Sequence, residues 1–156
     1  MTDGNDWQWN QGFRRGRVII PGTPHQLGTF GLFRPPAWQA RVLNAAGADL
    51  AVRNAGGGLL WLGYDELCSD DLDMASIPAL AREYRTWVID DVPSAGAAGI
   101  RSSRRFGEIA AVLQDCDVTV FVICAATPEW GPENALSQLT VLESAEELPA
   151  EELLGS

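Results

Sequence analysis

The sequence predicts an α/β fold: a three-layer open sheet, mainly parallel, with helices on both faces. Three observations carry that expectation. Leu59-Leu60-Trp61-Leu62, Thr86-Trp87-Val88-Ile89 and Val118-Thr119-Val120-Phe121-Val122-Ile123 are short, nearly continuous apolar runs, the pattern of strands buried on both faces. Between them lie two stretches with apolar residues at helical spacing, Ile77, Leu80, Ala81 and Tyr84, then Phe106, Ile109, Ala110 and Leu113. The connections are short, and alternation of strand and helix is what parallel neighbours require. The three runs are therefore expected to be neighbouring parallel strands, with 118–123 central because Thr119 is its one polar residue.

A chain of 156 residues accommodates one domain with a sizeable core. Residues 1–16, with Trp7, Trp9 and Phe13 among Asn, Gln, Asp and Gly, show no clean period and read as a flexible N-terminal arm. The single α/β domain is expected over 17–142. It opens with the short strand Arg17-Val18-Ile19-Ile20, stopped by Pro21-Gly22-Thr23-Pro24. Residues 21–58 form a Pro/Gly-rich insertion. Within it, Pro35 and Pro36 precede a helix-like stretch in which Trp38, Val42 and Ala45 share a face, with Gly47 as C-cap. Gly56-Gly57-Gly58 separates this stretch from the regular part. Ser76 is the expected cap of a helix that tolerates Pro78 in its first turn, and Ser102 or Ser103 of the next. Residues 135–142 read as a helix or an edge strand, and 143–156 as an acidic C-terminal tail.

The net charge of −10 comes from 11 arginines against 21 acids, with no lysine. Residues 1–58 hold six Arg against Asp3, Asp6 and Asp49, whereas residues 128–156 hold seven Glu and no base. That balance disfavours the continuous basic field a nucleic-acid surface needs. No run is long and apolar enough to span a membrane, and a cytoplasmic location is expected. Cys68, Cys116 and Cys124 lack CxxC spacing and His25 is the one histidine, so buried, reduced thiols are expected rather than a metal cage. His25 has no serine or cysteine at a diagnostic distance to make a nucleophile and base pair.

Asp90-Asp91 after a β-branched strand has the acidic ending of a Walker B strand, where a carboxylate orients Mg²⁺ and water around a nucleotide. Structural carboxylates, a metal site and catalysis all fit the pair. No GxxxxGK[ST] motif is present, and the glycine triplet precedes a strand where a P-loop would follow one. Arg101, Arg104 and Arg105 lie before or within the first turn of a helix, where positive charge is mildly disfavoured by the dipole. They are candidate contacts to an acidic partner or an anion, or surface ion pairs such as Arg104 with Glu108.

Taken in order, Tyr64-Asp65-Glu66-Leu67-Cys68, Ala79-Leu80-Ala81-Arg82-Glu83-Tyr84, Val88-Ile89-Asp90-Asp91-Val92-Pro93, Arg104-Arg105-Phe106 and Ala125-Ala126-Thr127-Pro128-Glu129 resemble the C-terminal part of the ZapE-like (AFG1-like) AAA+ ATPases. The ordered match covers about residues 59–129. The resemblance implies a regulatory or partner-contacting module without its own Walker A core, in which Arg104 and Arg105 match arginines that face nucleotide or a neighbouring subunit. The leading expectation is thus a non-catalytic module that binds a protein, an ATPase subunit among the candidates, and needs no cofactor. The first alternative is an ATPase-like protein that binds nucleotide, ATP with Mg²⁺, through Asp90, Asp91 and Arg104 together with a partner subunit. The second is a small enzyme with an acidic site at the strand ends.

Overall fold

The computed structural model describes residues 11–45, 48–69, 72–93, 100–128 and 132–143. In chain order the elements are α1 (Gln11–Arg14), β1 (Arg17–Ile20), α2 (Pro24–Thr29), β2 (Arg41–Ala45), β3 (Ala48–Val52), β4 (Asn54–Gly56), β5 (Leu59–Gly63), α3 (Tyr64–Leu67), α4 (Ile77–Glu83), β6 (Thr86–Val92), α5 (Ile100–Asp115), β7 (Thr119–Cys124) and β8 (Thr140–Glu143). Six strands form one sheet in the order β4-β5-β6-β7-β1-β8. Every neighbouring pair is parallel except β4 with β5. The expected parallel neighbours are β5, β6 and β7, and β7 is one of the two central strands.

Strand periodicity sorts the side chains onto two faces. Val18, Ile20, Leu60, Leu62, Trp87, Ile89, Val120 and Val122 lie in one cluster with Ile77, Leu80 and Ala81 of α4 and Phe106, Ile109, Ala110 and Leu113 of α5. The intervening residues Ile19, Trp61, Val88, Phe121 and Ile123 form a second, smaller cluster covered by Leu27 of α2 and by Leu32. Helices therefore cover both faces, heavily on one and thinly on the other. Among the described residues no helix is long and apolar enough to cross a membrane.

Several local expectations are corrected. Residues 11–16 are docked rather than part of a flexible arm: Phe13 is 0% exposed, its amide donates to Asp117 Oδ1 at 3.0 Å, and Thr119 Oγ1 donates to the Gly12 carbonyl at 2.7 Å. Burial of the phenyl ring contributes about 2–3 kcal/mol, and the two hydrogen bonds to Asp117 and Thr119 add to it. Residues 1–10, with Trp7 and Trp9, lie outside the described residues, as do 144–156 of the acidic tail.

The helix expected around Trp38 to Ala45 is a β-hairpin, with Val42 opposite Ala51 and Leu43 opposite Leu50. Leu50 and Val52 are buried on either side of exposed Ala51, a period of two that outweighs the helical spacing of Trp38, Val42 and Ala45. Trp38 and Val42 are consequently exposed, and the two prolines begin only a 3-10 turn, Ala37–Gln39. Residues 135–142 divide into a 3-10 turn, Ala135–Gln138, and the edge strand β8. Asp73, not Ser76, supplies the capping oxygen before α4, accepting from Ala75 N. Ser103 falls inside α5, which begins at Ile100.

Candidate functional site

The chain runs from β1 to β5, three places away in the sheet, and returns through β6 and β7 to lie beside β1. Strands that leave in opposite directions from such a point open a crevice at their carboxyl ends, where open α/β sheets hold ligands. Asp90 sits at that end of β6. Ile89 pairs with Val122 but Val92 pairs with Cys124, so β6 carries an extra residue across Asp90-Asp91. Bulges of this kind re-aim side chains beside functional sites. Here the bulge turns Asp90 inward, 2% exposed, and puts Asp91 outward in the left-handed region at φ 57°.

A buried carboxylate must be paired and hydrogen-bonded, and Asp90 is both. Its Oδ2 accepts from Arg34 Nη1 at 2.5 Å, Arg53 Nη1 at 3.0 Å and Trp61 Nε1 at 3.2 Å. Its Oδ1 accepts from the Asp91 amide at 2.8 Å. Arg53 Nη2 reaches Asp91 Oδ2 at 2.5 Å. The three ion pairs formed among the described residues all lie in this cluster. Burial alone would lower the pKa of the Arg53 guanidinium, but the hydrogen bond and charge of Asp91, with the charges of Asp90 and Glu66, raise it above its ordinary value.

Both arginines come from residues 21–58, Arg34 from the segment after α2 and Arg53 from between β3 and β4. Their side chains are 45% and 40% exposed, so each guanidinium is anchored from below and open above. A guanidinium carries five N–H donors. Arg34 uses one Nη on Asp90 and the other on the Gly22 carbonyl at 3.1 Å. The adjoining cavity, about 240 Å³, is lined by Pro21, Arg34, Asp90, Asp91, Val92, Pro93, Ile123 and Ala125.

The β1 to α2 turn, where a phosphate loop would lie, is closed by a side chain. Gln26 Oε1 accepts from the amides of Gly22 and Thr23, each at 2.9 Å. Gln26 Nε2 donates to the Ile20 carbonyl at 2.8 Å and, at 3.4 Å, to Leu142 of β8. Thr23 Oγ1 completes a capping box with the Gln26 amide. Amides that cradle phosphate in a P-loop are here satisfied internally.

Mg²⁺ does not fit these carboxylates. Each Asp90 oxygen, and Oδ2 of Asp91, already receives an N–H donor, and a cation bound there would sit against two guanidinium charges. The chemistry on offer is recognition of an anion by a pair of arginines.

Of the residues singled out from the sequence, Asp90 and Asp91 are at this site and Arg104 is not. Asp90 points to the thinly covered face with Trp61 and Val88, whereas α5, with exposed Arg104, covers the other. No hydrogen bond or ion pair joins Arg104 to Asp90, Asp91 or Glu108 among the described residues. Arg105 Nη2 donates to the Leu72 carbonyl, which ties α5 to the segment before α4. The side chain of Arg101 lies outside the described residues. Cys68 and Cys124 are buried and Cys116 partly so, all three free, and His25 is exposed on α2. Arg34, Arg53, Trp61 and Gln26 were not legible as site residues. The one signal for the arginines is the positive balance of residues 1–58 in an acidic chain.

Fold and site together define an open α/β protein with an arginine–carboxylate cluster at its strand ends. No protein-family model, curated protein or solved structure matches the chain.

Proposed function

We propose that the chain is an ATPase-like, nucleotide-binding protein whose strand-end site takes the phosphate groups on Arg34 and Arg53. One observation carries the reading: a buried carboxylate, Asp90, holds two half-exposed guanidiniums side by side at the carboxyl edge of a parallel sheet. Counted along the chain, the five parallel strands lie second, third, fourth, first, fifth, and Asp90 ends the third with an acidic pair that resembles the ending of a Walker B strand. Arg34 and Arg53 take the phosphate-contacting role that the sequence suggests for Arg104, and a partner subunit is the source of further phosphate contacts. Binding is independent of Mg²⁺ because the carboxylates are engaged by arginine. The proposal keeps the cytoplasmic location expected from the sequence. Titration calorimetry with ATP and ADP, with Mg²⁺ or with EDTA, tests it: a dissociation constant below about 10 μM that survives EDTA supports the reading, and no heat with either nucleotide opposes it.

A second reading, the protein-binding module, is favoured by Phe33 and Trp38, 76% and 80% exposed beside two prolines. Large exposed aromatics are enriched at protein interfaces. Loss of a co-purifying partner from a Phe33→Ser, Trp38→Ser double variant that melts like the wild type would favour it.

A further inference from the structure

The arginine pair has a built-in competitor. Arg53 Nη2 is capped by the Asp91 carboxylate at 2.5 Å, and Asp91 itself is 68% exposed. Two arginines stand against Asp90, Asp91 and the charge of Glu66 that also acts on Arg53, so the cluster carries no surplus positive charge and an incoming phosphate gains little from the guanidinium pair while Asp91 stays on it. Asp90 cannot be the group that yields, because it is 2% exposed and held by four donors. Asp91 can: its side chain makes one ion pair, in water, of a kind that contributes little.

We infer that Asp91 is an internal anion that occupies the phosphate position on Arg53 and is displaced by the ligand, so that it sets the affinity of the site. The inference rests on the phosphate-binding reading above. Backbone geometry supports a replaceable plug rather than a structural residue. Asp91 adopts φ 57°, a conformation that asparagine tolerates about as well and glycine better. Asp91→Asn and Asp91→Gly therefore remove the charge without opposing the bulge, and neither carboxylate oxygen of Asp90 loses a partner, since the Asp91 amide is retained.

The test is calorimetric titration of wild type, Asp91→Asn, Asp91→Gly and Arg53→Gln with inorganic pyrophosphate in EDTA, beside thermal melts of each. Removing one competing ion pair and one negative charge beside the phosphate position is worth on the order of tenfold in affinity. Both Asp91 variants are expected to bind about tenfold more tightly than wild type with little change in melting temperature, and Arg53→Gln to bind more weakly. Detectable binding by the Asp91 variants alone also supports the inference, as a plug that keeps the wild type closed. Wild-type binding that the Asp91 variants leave unchanged or weaken would overturn the inference while leaving the phosphate reading standing. No binding by any of these proteins would overturn both. The two Asp91 variants discriminate these outcomes even where Arg53→Gln fails to fold.

Discussion

Trp61 Nε1 donates to Asp90 Oδ2 at 3.2 Å, across the adjacent parallel strands β5 and β6. Trp61 stands opposite Val88, and Asp90 opposite Gly63, so the indole reaches forward along the sheet to a carboxylate two residues beyond its own partner. The bond ties the thin-face core, where Trp61 is 1% exposed, to the arginine cluster at the strand ends.

Asp90 should therefore matter to folding as well as to binding. Asp90→Ala leaves the indole N–H unpaired in the interior and two guanidiniums without their anchor. Because both arginines are nearly half exposed and can regain water, the expected loss is about 2–3 kcal/mol rather than the larger cost of a fully buried pair. Urea unfolding checks it. Arg34→Ala should cost less, about 1 kcal/mol, since Arg53 and Trp61 continue to hold the carboxylate.

Phe106 anchors the thick face. It is 2% exposed and meets the Tyr64 ring edge-on, with centroids 4.9 Å apart. Phe106→Ala is expected to cost about 3–5 kcal/mol through lost burial and a residual cavity. Arg104→Glu, at an exposed position on the same helix, should leave the urea midpoint within about 0.5 kcal/mol of wild type. Equal effects of the two substitutions would contradict the assignment of the helix faces.

Gly16 lies where backbone approaches backbone. A Cβ there would be driven into the Val120 carbonyl of β7, which cannot swing aside as a side chain would. Gly16→Ala is expected to destabilise by about 1–3 kcal/mol through overpacking, visible as a lowered thermal midpoint. An unchanged midpoint would show that α1 and β1 shift freely against β7.

Burial pushes the Cys68 and Cys124 thiols up to about 12, and burial with the charge of Glu83 raises the Tyr84 hydroxyl. An unfolded thiol titrates near pH 8.5, so between that pH and about 12 the folded state holds protons that the unfolded state has lost. Stability is then fully present below about pH 8.5 and falls as pH rises. A urea midpoint that drops from pH 8 to pH 10, and drops less in Cys124→Ala, is the expected result. At pH 8 a thiol reagent should modify Cys116 first, with Cys68 and Cys124 reacting only on unfolding.

The regular part of the fold was legible because β5, β6 and β7 are covered on both sides, which leaves unbroken apolar runs, and because α4 and α5 each bury one stripe. The hairpin was not legible. Among its described residues only Leu50 and Val52 are buried, and the helical spacing from Trp38 competes with them. The docking of Phe13 was hidden for a different reason: a single turn has no period, and its partner Asp117 is 104 residues away. The site was half visible. Acids at the end of an apolar strand can be read locally, but the arginines that meet Asp90 are 56 and 37 residues distant, and nothing local marks Arg34 or Arg53 as different from a surface arginine.

The central claim is that Arg34 and Arg53, fixed by Asp90, bind phosphate. Titrating pyrophosphate into wild type and Arg34→Gln in EDTA, at two salt concentrations, tests it most directly. The account predicts a heat of binding that weakens with salt and an affinity at least tenfold lower in Arg34→Gln, with little change in its melting temperature. Equal binding by the two proteins, or none by either and none by the Asp91 variants, would contradict it.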